Sequence, residues 1–204
     1  MRPIILGMAG GTGSGKTYTV NRLLEIYSVD NITTIGQDSY YKDLKHIDHK
    51  DRIRQNFDHP DSIDIELFEN HLKQISLGAD INIPIYDFSN HVRLYETKTI
   101  SQNKIIIVEG IFALHYPQLR KLYTIKIFIE TPENVRFNRR LNRDIKERGR
   151  TIKSVKKQYE TTVLPMHEEF IEPSKEYADI IINGNDDVKG SLDNIKVRID
   201  TLIS

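Results

Sequence analysis

The chain has no cysteine, which excludes disulfides, thiolate metal sites and a cysteine nucleophile. It also lacks net charge, because 29 Lys and Arg offset 29 Asp and Glu. Displacing counterions from a duplex asks for a net basic face, so bulk nucleic-acid binding is disfavoured, although local basic clusters stay open. No apolar run approaches the roughly 18–20 residues of a membrane span, so no membrane partner is expected. Met1-Arg2-Pro3 runs straight into the first apolar stretch and leaves no room for a signal peptide, and a cytoplasmic protein is expected. The seven histidines form no ligand cluster, and His46 and His49 fall in a polar stretch that should be at the surface. There is no internal repeat and no low-complexity segment. At 204 residues one domain spanning 1–204 is expected, with at most a small lid.

Glycine is scarce but concentrated: five of the eleven fall between positions 7 and 15. Gly10-Gly11-Thr12-Gly13-Ser14-Gly15-Lys16-Thr17 reads G-x-x-x-x-G-K-T, the phosphate-cradling P-loop. The flanks agree with it. Ile4 to Ala9 is a short apolar run that suits a buried strand, and Val20, Leu23, Leu24 and Tyr27 follow at helical spacing. A helix opening there offers unpaired N–H donors and a positive dipole end to an anion. In this motif Lys16 reaches the β/γ-phosphates and the Thr17 hydroxyl ligates Mg²⁺.

Further along, Ile32 to Gly36 is a second strand candidate, and it delivers Asp38 beyond its carboxyl end, where ligand crevices lie in open α/β sheets. Residues 42–59 are polar and without period, a long loop. Ile65, Phe68, Leu72 and Ile75 mark a helix stopped by Gly78. Ile81 to Phe88 alternates before Pro84 and Tyr95 to Ile100 alternates again, and Pro84 confines the pair to an edge: a hairpin over about 81–100 that could form a flap. Ile105 to Val108 is the most apolar run, a central parallel strand that ends in Glu109. After a strand at 125–129, Thr131 and Pro132 supply an N-cap and first-turn proline for an arginine-laden helix. Residues 152–170 read as a helix broken at Pro165, 179–182 as a last strand, and Leu192 to Leu202 as a closing amphipathic helix. This alternation predicts an α/β fold, a P-loop NTPase-type doubly wound parallel sheet with helices on both faces.

Phosphoryl transfer needs a phosphate cradle, metal ligands, a carboxylate to orient the acceptor and cations for the transition state. Candidates exist for each: the glycine loop, Thr17 with Glu109, Asp38, and the arginines of a lid at about 139–155. The arginines admit two readings. Arg140 with Asp144, Arg143 with Glu147 and Asp144 with Arg148 are i,i+4 pairs that suit a solvated face, each worth about 0.2–0.5 kcal/mol. Against that, Arg136, Arg139 and Arg150 have no acid at that spacing, and Arg148-Gly149-Arg150 suits a phosphate clamp. A GTPase-type switch would need an Asn-Lys-x-Asp stretch, and none occurs.

Several stretches together resemble the uridine kinase (uridine–cytidine kinase) family. They are Gln37-Asp38-Ser39-Tyr40-Tyr41, Asn56-Phe57-Asp58-His59-Pro60, Ile83 to Phe88 with His91 and Arg93, and Val108-Glu109-Gly110-Ile111. Arg143-Asp144-Ile145-Lys146-Glu147-Arg148-Gly149-Arg150, Gln158-Tyr159 and Phe170 to Lys175 continue the match, which runs from Ile5 to about Ile182. The resemblance implies transfer of the γ-phosphate of ATP or GTP to the 5′-hydroxyl of uridine or cytidine in pyrimidine salvage. It implies that Asp38 deprotonates that hydroxyl, with Lys16 on the phosphates and Mg²⁺ on Thr17, Asp38 and Glu109. Asp58 and Arg140 would contact the ribose near Tyr41, while Tyr86, His91 and Arg150 would contact the base and Phe57 and Phe88 pack on it. Gln158 would lie by the nucleoside, and Arg143 and Arg148 would grip the triphosphate. A homotetramer and feedback by CTP or UTP are also implied. After Ile182 the family continues with proline and a glycine-rich turn, whereas here residues 183–187 read Asn-Gly-Asn-Asp-Asp, which bears on ATP against GTP. Other small-molecule P-loop kinases, such as phosphoribulokinase or pantothenate kinase, share the cradle and lid but not the Tyr86-Asp87-Phe88 hairpin with His91.

Overall fold

The computed structural model describes residues 2–28, 30–185 and 189–203. Strand β1 (Ile4–Ala9) leads through the glycine loop into α1 (Lys16–Tyr27), then β2 (Ile32–Gly36), α2 (His49–Arg52) and α3 (Ile65–Ser76). The hairpin β3 (Ile81–Asp87) and β4 (Val92–Ile100) follows, then β5 (Ile105–Glu109), α4 (Pro117–Arg120) and β6 (Ile125–Glu130). The chain closes with α5 (Glu133–Arg148), α6 (Ile152–Gln158), α7 (Leu164–Met166), β7 (Ile180–Asn183) and α8 (Lys189–Ile203).

Five strands form one parallel sheet in the order β2-β5-β1-β6-β7. The β1 and β5 strands lie in its interior, which is why Ile4 to Ala9 and Ile105 to Val108 are apolar on both faces. Alternate side chains serve two cores. Ile5, Ile106 and Val108 pack with Phe68, Leu72 and Ile75 of α3, and Leu6, Met8 and Ile107 pack with α1 and α8. The doubly wound parallel sheet read from the alternating pattern is the architecture observed. The β3–β4 hairpin is a separate antiparallel pair with an irregular register between Pro84 and Tyr86, where proline has no N–H to give.

Four local readings need correction. The stretch 42–59 holds a short helical turn, α2. Strand β4 begins at Val92 rather than at Tyr95, because Val92 and Arg93 pair with Asp87 and Tyr86 of β3. Thr131 does not cap α5; its hydroxyl donates to the Ser14 carbonyl at 2.9 Å, tying the exit of β6 to the glycine loop. Pro165 does not break the helical run from Ile152 to Tyr177. Two π-turns, Tyr159–Val163 and His167–Ile171, flank it and absorb a residue without a donor by wider i→i−5 bonding, such as Leu164 N–H to Tyr159 O. The last strand runs to Asn183, and residues 186 and 187 of the turn at 183–187 lie outside the described residues. No helix among the described residues is long and apolar enough to cross a membrane.

Candidate active site

The glycine loop sits at the carboxyl end of β1 and turns through three glycines of positive φ, Gly10 (+148°), Gly13 (+74°) and Gly15 (+105°). Helix α1 starts behind it with no side-chain cap and no acid in its first turn, so its first N–H groups and dipole face the loop uncompensated. Lys16 folds over the loop, its Nζ donating to the carbonyls of Gly10 (2.8 Å) and Gly11 (3.2 Å). Burial lowers its pKa, against the opposing pull of Glu109 and Asp38. The next residue, Thr17, is exposed.

Asp38 lies in a 3-10 turn, Gln37–Tyr40, just past β2, and Glu109 ends the neighbouring β5. Asp38 is open to solvent, yet protein crowds it enough that desolvation raises its carboxyl pKa, and Lys16, Arg148 and Arg143 oppose the shift. Glu109 is raised by burial too; Lys16 holds it down and Asp38 pushes it up. Two carboxylates thus flank one ammonium. Among the described residues no three His, Cys, Asp or Glu side chains form a preformed metal cage. A hydroxyl and two carboxylates nevertheless suit Mg²⁺, which keeps waters and takes its remaining ligands from phosphate.

Beside these acids lies an aromatic cluster. Tyr41 meets Tyr86 (5.3 Å between centroids), Phe57 (5.5 Å) and Phe88 (6.4 Å), and Phe57 stacks on His91 at 4.5 Å and 17°. Burial raises the Tyr41 pKa, and the charges of Asp38 and Asp58 push it higher. Burial pushes Tyr86 up to about 12, and its hydroxyl is buried without a partner. His91 holds the hairpin turn with φ +55°, uncommon for a side-chain-bearing residue. Burial lowers its pKa, helped by His49 and Arg52. Phe88 stays largely exposed. Arg93 pins the hairpin in place by donating to the Tyr41 carbonyl (2.9 Å) and to Asp64 (3.0 Å).

Asp58 faces the arginine helix. Burial raises its pKa, opposed first by Arg140 and then by a hydrogen bond from Thr162 at 3.3 Å. Arg140 and Arg150 both donate to Gln158 Oε1, at 3.2 and 2.6 Å. The solvated-face reading of this helix fails at its centre. Asp144 is fully buried and holds Arg140, Arg143, Arg148 and Arg150, while Arg143 turns to it rather than to Glu147. Arg136 is buried as well, and Arg139 donates to the Gly184 carbonyl at 2.9 Å. His46 and His49 are exposed, as expected.

Some residues of the site carry no local pattern in the sequence. Gln37 accepts the Phe112 N–H at 2.9 Å and joins the exits of β2 and β5. His167 comes from far along the chain to lie under the loop with Arg136; a methyl on Gly11 would be 2.9 Å from His167 Nδ1 and 2.8 Å from Arg136 Nη1. Burial and the Arg136 charge lower the His167 pKa to about 4, and its Nε2 lies 3.3 Å from Glu172.

Comparison with known proteins agrees with this geometry. The profile of the Phosphoribulokinase / Uridine kinase family matches residues 5–190. A uridine kinase of Clostridium novyi (strain NT) is 50% identical over 204 residues, covering 100% of this chain and 98% of that protein. A uridine kinase of Chloroflexus aurantiacus is 44% identical over 98% of this chain and 96% of that protein. Among solved structures, phosphoribulokinase from Rhodobacter spheroides superposes with a TM-score of 0.65 at 12% identity, over 89% of this chain and 70% of that one, a likeness of fold.

Proposed function

The chain belongs to the phosphoribulokinase/uridine kinase family, and we propose that it transfers the γ-phosphate of ATP, or of GTP, to the 5′-hydroxyl of uridine and cytidine. One observation carries the reading. A cluster of Tyr41, Phe57, Tyr86 and Phe88, the last two from the hairpin, adjoins Asp38, whose charge acts on Tyr41 while Lys16 of the glycine loop acts on Asp38. The full-length likeness to proteins named uridine kinase supports the acceptor.

In this reading Phe57 and Phe88 pack on the base, Tyr86 and His91 read its edge, and Arg150 and Gln158 lie beside it. A hydrogen-bonding site of that kind rejects analogues better than an apolar slot does. The ribose diol faces Asp58 and Arg140, which favours ribose over deoxyribose. Backbone N–H groups of residues 10–15 hold the phosphates with Lys16, Arg143 and Arg148. Thr17, Asp38 and Glu109 would hold Mg²⁺, which when bound neutralises charge on the β- and γ-oxygens.

Asp38 accepts the proton of the 5′-hydroxyl as the bond from that oxygen to γ-phosphorus forms and the bond to the β-bridging oxygen breaks, releasing ADP. An ordinary aspartate is too weak a base for an alcohol in the ground state. A raised pKa and a loose transition state, in which the hydroxyl turns acidic late, remove that obstacle. Residues 1–204 act as one kinase domain, with the hairpin as flap over the nucleoside and residues 139–155 as lid. The resemblance adds a cytoplasmic homotetramer working in salvage under CTP or UTP feedback.

A coupled ADP-release assay with ATP·Mg²⁺ tests the acceptor. Turnover confined to uridine and cytidine, and absent with deoxyuridine, thymidine, adenosine, pantothenate and ribulose 5-phosphate, is expected. Turnover of ribulose 5-phosphate, or ADP release that needs no acceptor, would overturn the reading.

A further inference from the structure

Asp144 lies one turn before the end of α5 and has no part in the scheme above. A carboxylate with no access to water is a poor stabilising device, because its desolvation offsets much of what its partners return. Its geometry points to another use. The two oxygens serve different partners: Oδ1 accepts from Arg143 (3.1 Å) and pairs with the charge of Arg148 (3.4 Å), while Oδ2 accepts from Arg150 (3.2 Å) and faces Arg140 Nε across 3.6 Å, an ion pair without a hydrogen bond.

That division follows the site. Arg143 comes within 3.5 Å of Thr12 Oγ1 in the glycine loop, and the charges of Arg143 and Arg148 both act on Asp38. Arg140 and Arg150 meet on Gln158 and act on Asp58. The Asp144 carbonyl also accepts the N–H groups of Gly149 and Arg150, so the turn carrying Arg148 and Arg150 is fastened to this residue by its main chain too.

We propose that Asp144 is a positioning residue that couples the donor and acceptor sites, one carboxylate oxygen orienting the phosphate-facing arginines and the other the nucleoside-facing pair. The inference rests on the nucleoside kinase reading. A nucleoside that engages Arg140 and Arg150 fixes the plane of the carboxylate, and with it the seat of Arg143 and Arg148. Linkage requires the reverse effect to be equal.

Calorimetric titration of the full chain with uridine, with and without saturating AMP-PNP·Mg²⁺, reads this coupling as a ratio that a uniform structural weakening leaves unchanged. The wild-type chain should bind uridine more tightly with the analogue, by about 5–150-fold. Asp144→Asn keeps one acceptor oxygen but turns an amide NH₂ toward the other arginine pair. It should bring the ratio to within about twofold while both ligands still bind, most of the coupling free energy being lost. A folded Asp144→Asn that keeps the wild-type ratio, or a wild-type chain that binds the two ligands independently, overturns the inference alone. A wild-type chain that binds no uridine overturns the kinase reading and this inference with it. Should Asp144→Asn not fold, Arg150→Lys carries the test: it keeps the charge but loses the fork spanning Asp144 and Gln158, and an unchanged ratio overturns the inference.

Discussion

Gln37 and Phe112 are joined by a buried hydrogen bond of 2.9 Å from the Phe112 N–H to the Gln37 side chain, which ties the turn carrying Asp38 to the chain just past Glu109. Glu109 ends β5 and Asp38 follows two residues beyond β2, the adjacent parallel strand in which Gly36 pairs with Glu109, so whatever fixes the exits of β2 and β5 bears on both carboxylates. Gly110 makes room for the bond, since a Cβ there would stand 2.2 Å from Gln37 Oε1.

Gln37→Leu should therefore cost both stability and turnover. It leaves the Phe112 N–H buried and unpaired, a penalty of about 1–3 kcal/mol. Denaturant unfolding should show that loss, with kcat reduced and nucleotide affinity largely kept. A variant destabilised but unchanged in kcat would separate this bond from the chemistry.

Asp38→Asn should make the protein more stable at neutral pH. The folded-state pKa of Asp38 is raised above its ordinary 3.8, so the native state binds its proton more tightly and the ionised form costs stability. That cost sets in as pH rises through the window between the two values, and it is absent at lower pH. The melting temperature of Asp38→Asn should exceed that of the wild type at pH 7, with the gap closing in acid. In the wild type, kcat/KM should fall on the acid side at a pH above the ordinary aspartate range.

His167 predicts the opposite acid response. Its pKa of about 4 lies below the ordinary 6.5, so the unfolded chain binds more protons between those values and stability falls as pH drops through them. Thermal melts from pH 7 to 4 should decline less steeply in His167→Phe than in the wild type. Parallel declines would show that the imidazole is protonated in the folded protein.

His91→Ala should raise KM for the nucleoside far more than for ATP, because the ring stacks on Phe57 in the aromatic cluster. Its positive φ of +55° offers a control, since His91→Gly removes the same ring without backbone strain. Equal changes in KM for both substrates would place His91 outside the nucleoside site.

Local pattern made the cradle legible: an apolar strand, clustered glycines and a helical period are all short-range signals. Asp38 and Glu109 were legible because strand ends in a parallel sheet are a topological address. The Asp144 hub was not. The spacing of residues 140, 144 and 148 is the same on a wet or a dry helix face, and only the returning turn, which brings Arg150 and Gln158 back, shows which applies. His167 lies far from Gly11 in sequence, and the π-turns that aim it have no signature a helical period would reveal. Thr131 was misread for a related reason, since its hydroxyl found a tertiary acceptor in Ser14 and left the cap empty.

The most direct measurement of the central claim is a single-turnover assay of UMP formation from uridine and ATP·Mg²⁺, run on the wild-type chain and on Asp38→Asn. The account predicts UMP from the wild type and a rate lower by about 10²–10⁴ in the variant, with affinity for a non-hydrolysable ATP analogue essentially kept. A variant rate within a few-fold of wild type, or no UMP from the wild-type chain, would contradict it.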